Sequence, residues 1–111
     1  MPVKKTSRDS LTDLGRFSEP ALLILISLAD GPKHGYAMTQ DIERVSGQKL
    51  GPGTLYGAIA RLEELKWIQP LPADDRRRPY KITGTGQAVL KARLESMTAL
   101  MRAGRARLAE G

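Results

Sequence analysis

Residues 35–66 read GYAMTQDIERVSGQKLGPGTLYGAIARLEELK, and this stretch decides the fold. Two helical patterns stand on either side of a short break. The first runs from about Gly35 to Val45, with Tyr36, Ile42 and Val45 as its expected inner side and Gln40, Asp41, Glu43 and Arg44 outward. Ser46-Gly47 stops it, because glycine accepts the left-handed conformation that follows a helix end. The second runs from about Pro52 to Lys66. Its proline is tolerated in a first turn, and Leu55, Ile59 and Leu62 recur at i, i+4, i+7 with Ala58 and Leu65 beside them. The turn Gln48-Lys49-Leu50-Gly51 joins the two. Helices joined by so short a turn predict a helix-turn-helix, whose second helix can enter a DNA major groove.

The outer face of that second helix is slim: Gly53, Gly57, Ala60 and Arg61, flanked by Thr54 and Tyr56. Such a face either packs on another element or lies deep in a groove. On the second reading Arg61 is the long donor, able to pair with guanine. Tyr56 offers its hydroxyl to a phosphate, and Thr54 lies beside the free amides of the helix N-terminus. Lys49, in the turn before the helix, joins the same DNA-binding set.

Upstream, a helix is expected from about Ser18 to Ala29, capped by Ser18, with Pro20 in its first turn and Phe17 and Leu22 bracketing the cap. It is apolar on nearly every side, which marks a central helix, and Asp30-Gly31-Pro32 ends it. Residues 1–17 read as a polar N-terminal arm.

Downstream, two short strands are expected at about Trp67–Leu71 and Arg78–Ile82, joined by a turn over residues 72–77. Trp67 is placed to plug the junction between helix and hairpin. Thr83 caps a last helix from about Gly84 to the C-terminus. Along it Leu90, Leu94, Met97, Met101 and Leu108 follow alternating spacings of four and three, with Gly104 in one place. This heptad-like seam extends past what one small domain can bury, so it predicts a homodimer contact. Methionines in the seam make its packing adaptable, which offers a small-molecule effector a means of changing the dimer.

The order helix, helix, helix, hairpin, helix predicts a winged helix-turn-helix: mainly α, with a small β-hairpin. Residues 18–83 form the DNA-binding domain and 84–111 the dimerisation helix. Arg76, Arg77 and Arg78 at the tip of the wing are expected beside phosphates, where each cation releases a counterion.

Composition agrees. The chain has 111 residues and a formal charge of +6, from 18 Lys+Arg against 12 Asp+Glu. So basic a domain points to a polyanionic partner, here double-stranded DNA with a near-palindromic operator. There is no cysteine and only one histidine, His34. No disulfide framework, thiolate metal site or cysteine nucleophile is therefore possible, and no cofactor is expected. The Gly51-Pro52-Gly53 run lacks the lysine and preceding strand of a phosphate loop. An enzyme is not expected. The apolar run Ala21–Ile26 is too short to span a bilayer, so no membrane partner is expected and the location is read as cytoplasmic. Two other readings of a winged helix stay open: a protein-interaction module and a nonspecific nucleic-acid binder.

The segments LADGPKHGY (28–36), LGPGTLY (50–56), Arg61-Leu62-Glu63 and RRRPYKIT (76–83), with Gly86 following, resemble the PadR-type transcriptional regulators. The spacing between these blocks agrees as well. The resemblance implies a homodimeric winged-helix repressor whose recognition helix begins at Pro52 and whose last helix joins the dimer. Two departures stand out. Lys66-Trp67 replaces a more usual Gly-Leu type pair. The last helix has no aromatic residue with which to stack a planar drug.

Overall fold

The helix that reads as apolar on almost every side is the one the others pack around. The computed structural model describes residues 19–111. In it, helix α1 covers residues 19–28 and buries Leu23, Ile24, Leu25, Ser27 and Leu28. The expected cap at Ser18, the Phe17 contact and the arm lie outside the described residues.

Six elements follow: β1 (Lys33–His34), α2 (Gly35–Ser46), α3 (Pro52–Glu64), β2 (Ile68–Pro70), β3 (Pro79–Ile82) and α4 (Gly84–Glu110). Met38 and Ile42 from α2, Leu55, Ile59 and Leu62 from α3, Ile68, Ile82 and Leu90 close one core with α1. This is the winged helix-turn-helix the sequence predicts, with a long C-terminal helix attached.

The inner side of α2 differs from the expectation. It consists of Gly35, Met38 and Ile42, whereas Tyr36 and Val45 are 68% and 60% exposed. Asp41, expected outward, keeps only 14% of its side chain exposed. Its carboxylate accepts a hydrogen bond from buried Ser27 of α1, Oγ to Oδ2 at 2.7 Å, so a polar contact faces α1 alongside the apolar pair Met38 and Ile42. Gly47 closes the helix as expected, at φ +79° with its N–H donating to the Glu43 carbonyl.

The sheet has three strands where two were predicted, in the order β1-β3-β2. Both pairings are antiparallel: Lys33 opposite Tyr80 and His34 opposite Pro79 on one side, Ile68 opposite Ile82 on the other. A two-residue strand carries no periodicity to detect; it exists because the free edge of β3 offers it backbone partners.

Helix α3 ends at Glu64 through a Schellman pair: the Lys66 N–H donates to the Glu63 carbonyl and the Trp67 N–H to the Leu62 carbonyl. Lys66 takes the left-handed position at φ +64°. Leu65, expected with the inner face, is exposed. Thr83 caps α4 as expected: its Oγ1 accepts from the Gly86 N–H at 3.0 Å and donates to the Lys66 carbonyl at 2.7 Å.

Candidate nucleic-acid interface

A seven-residue step places Thr54 and Arg61 along one flank of α3, while Tyr56 stands on the other. Gly53, Gly57 and Ala60 lie between, and every one of these residues is exposed. The sequence-predicted set is thus split into two edges bounding a slim strip. Glu63 and Glu64 occupy the C-terminal end of the helix, so a polyanion is favoured at its N-terminal half.

Tyr56 is held over the start of α2. A Cβ on Gly35 would stand 2.2 Å from the Tyr56 hydroxyl and 2.8 Å from Cζ. With the ring in this position, Gly35 has no room for a Cβ. On the opposite flank, Thr54 and Arg61 border an apolar groove of about 730 Å³. Pro20, Leu22 and Leu25 of α1, Trp67, and Val89 of α4 form its other walls. Trp67 therefore lines this groove as well as packing at the junction between α3 and the wing.

The wing turns at Asp74-Asp75-Arg76-Arg77. The Asp74 and Arg77 backbones exchange both hydrogen bonds, at 2.6 and 2.9 Å, and Asp75 and Arg76 have φ of +54° and +71°. Both central residues are left-handed, as a two-residue type I′ hairpin loop requires. This puts Arg76 at the apex, exposed. Arg77 Nη1 donates to His34 Nε2 at 3.2 Å, and Arg78 Nη1 donates to the Leu71 carbonyl at 3.0 Å. Three adjacent arginines thus have three settings. Lys49 is exposed in the turn before α3.

The seam residues divide too. Leu90 is 7% exposed and belongs to the subunit's own core; spacing alone does not reveal which surface covers a residue. From Lys91 onward every residue of α4 is exposed, including Leu94, Met97, Met101 and Leu108. Leu100, outside the predicted seam, joins them. Among the described residues there is no cluster of side chains able to hold a metal ion, and no helix is long and apolar enough to cross a membrane.

A three-helix core with an attached hairpin defines the winged helix-turn-helix class. The family described as "Transcriptional regulator PadR-like family" matches residues 24–92. The chain belongs to this family of transcriptional regulators. It is 47% identical over 85 residues to an uncharacterized 37.1 kDa protein in transposon TN4556 of Streptomyces fradiae, covering 77% of this chain and 25% of that protein. It is 40% identical over 72 residues to the transcriptional regulator Rv3488 of Mycobacterium tuberculosis (strain ATCC 25618 / H37Rv), covering 62% and 66%. The chain therefore spans a quarter of the first relative's length and just under two thirds of the second's. Among solved structures, a transcriptional regulator from Clostridium thermocellum superposes with TM-score 0.71 at 26% identity, covering 82% of this chain and 93% of that one. A PadR family regulator from Clostridium difficile R20291 does so with TM-score 0.74 at 21% identity, covering 82% and 99%.

Proposed function

We propose that this chain is a sequence-specific repressor that occludes its promoter as a homodimer. The observation that carries the DNA-reading part is the slim, exposed strip of α3 bounded by Thr54 and Arg61 on one edge and Tyr56 on the other. Gly53, Gly57 and Ala60 cannot hydrogen-bond a base through their side chains, so they admit the helix to the groove while its edges make contact. Arg61 reads guanine, Tyr56 and Thr54 hold phosphates, and Lys49, Arg76, Arg77 and Arg78 add backbone contacts. Two-fold pairing of subunits then calls for half-sites about one helical turn, or a multiple of it, apart.

A gel shift on the region upstream of the chain's own gene, with random competitor DNA, tests the reading. Specific retention that survives competitor supports a regulator. Retention lost equally to any DNA leaves a nonspecific binder, and no retention favours a protein-interaction module. Run-off transcription from a retained promoter should fall on adding the protein; a rise makes it an activator. Replacing Arg76 and Arg77 by alanine should weaken binding to all sequences alike and reduce the slope of log affinity against log salt by about 1 to 2. An unchanged slope removes the wing from the phosphate contacts.

A further inference from the structure

We propose that His34 belongs to the DNA-contact surface and, with Arg77, forms a phosphate site that takes up a proton when DNA binds. The inference rests on the DNA-binding reading above and extends it to a residue that sequence alone leaves as an ordinary turn histidine.

The geometry begins with the 3.2 Å contact between Arg77 Nη1 and His34 Nε2. A guanidinium has donors only, so Nε2 must present its lone pair. Both residues are anchored by backbone: His34 by its pairing with Pro79, Arg77 by closing the wing turn on Asp74. Both line an open cavity of about 630 Å³, with Pro32, Lys33, Asp74 and Asp75 among its other walls.

The charges around it are countable. Lys33 is engaged elsewhere, with Asp30, the Ser27 carbonyl and, at 4.0 Å, Asp41. Asp74 and Asp75 face the cavity from the wing, and Arg76 stands next to them in the turn. Helix α2 starts directly after His34 with no acidic residue in its first turn, so its positive end adds to the field.

A phosphate arriving here competes with His34 for the Arg77 donors. Once Arg77 turns to the phosphate, Nε2 loses its donor and can take a proton to become a second donor to the same anion. An imidazolium and a guanidinium side by side repel each other unless an anion lies between them. Histidine changes charge near neutrality, so phosphate binding and protonation favour each other. Affinity for DNA then rises as pH falls, with at most one proton taken up per subunit.

The probe is a short fluorescein-labelled duplex of mixed sequence, because phosphate contacts do not depend on sequence. Anisotropy with the full chain from about pH 7.5 to about pH 5.5 should show affinity rising about five- to tenfold. His34→Gln, which keeps an amide donor, should bind with a flat profile. The salt slope of the unaltered chain should be steeper at the acid end by about 0.9 per subunit. His34 is the sole histidine, so its ring resonances can be followed directly; they should shift on adding the duplex and in Arg77→Ala. A flat profile in the unaltered chain, an equal rise in His34→Gln, or ring resonances indifferent to DNA each overturn the proposal. Pairing of a charged His34 with Asp74 or Asp75 in the free protein gives the first of these outcomes. No binding at any pH brings down the DNA-binding reading itself, whereas flat but real binding brings down only this extension.

Discussion

Lys66 holds a backbone position that glycine fills at lower cost. At φ +64° its Cβ crowds the neighbouring carbonyl, a penalty of about 1–2 kcal/mol for a residue other than glycine. Lys66→Gly should therefore stabilise the chain by about 1 kcal/mol after the extra freedom glycine gains in the unfolded state is subtracted. Chemical denaturation would show a higher midpoint at unchanged slope; a lower midpoint would mean the lysine side chain contributes more than its backbone costs. Gly86 is the opposite case. An added Cβ would stand 2.1 Å from the Trp67 carbonyl oxygen and 2.9 Å from Ile82 Cγ1, and that carbonyl already accepts the Thr83 N–H at 3.0 Å. Neither backbone can retreat without breaking the cap of α4. Gly86→Ala should cost about 2–3 kcal/mol, read by denaturation and by the emission of the single tryptophan, Trp67.

Between elements, one polar cluster joins α1, β1 and α2. Hydrogen bonding from Ser27 holds the Asp41 carboxyl below its ordinary value of 3.8, against the opposing effect of burial, and the charges of Lys33 and Arg44 add to the lowering. A carboxyl with a depressed folded value stabilises the fold above its unfolded value, and that contribution disappears as pH falls through the lower folded one. Acidification below about pH 4 should therefore destabilise the unaltered chain more steeply than Asp41→Asn. At neutral pH the same variant should lose about 1–3 kcal/mol, as expected when a buried hydroxyl gives up a charged acceptor. Equal acid slopes in the two chains would place the acid-sensitive groups elsewhere.

Across the whole molecule, the unusual feature is how far α4 leaves the core. Its 27 residues make a helix of about 40 Å, whose buried residues, Gly86 and Leu90, both lie in its first two turns. The remainder displays Leu94, Met97, Leu100, Met101 and Leu108, the last 82% exposed. An apolar stripe of this length normally marks an interface, and the proposed two-fold pairing would cover it with the same surface from a second copy. Met97→Glu with Met101→Glu should put like charges into that contact and leave the winged helix folded. Sedimentation should report monomers, and operator affinity should collapse far more than circular dichroism changes. A double mutant that stays dimeric and binds normally defeats the dimer reading.

The sequence by itself determined the helix-turn-helix, the wing and the cap of α4. Each is written in local chemistry: apolar spacing at i, i+4, i+7 in α3, Gly47 after α2, Thr83 before α4, and turn residues between two short strands. Tertiary structure alone decided three matters. Spacing gave Leu90 to the seam, but the core had room for it, because the first turns of α4 pack where α1, α3 and the sheet converge. Apolar character gave Tyr36, Ile42 and Val45 to the interior of α2, but only Ile42 lies there, joined by Met38 and Gly35, with Asp41 turned in to Ser27. His34 looked like a turn residue until β1 paired with β3 and the wing folded back, bringing Arg77 against it from 43 positions away. Local pattern encodes which residues form an element; which surfaces then meet depends on long-range contacts that no short window of sequence contains.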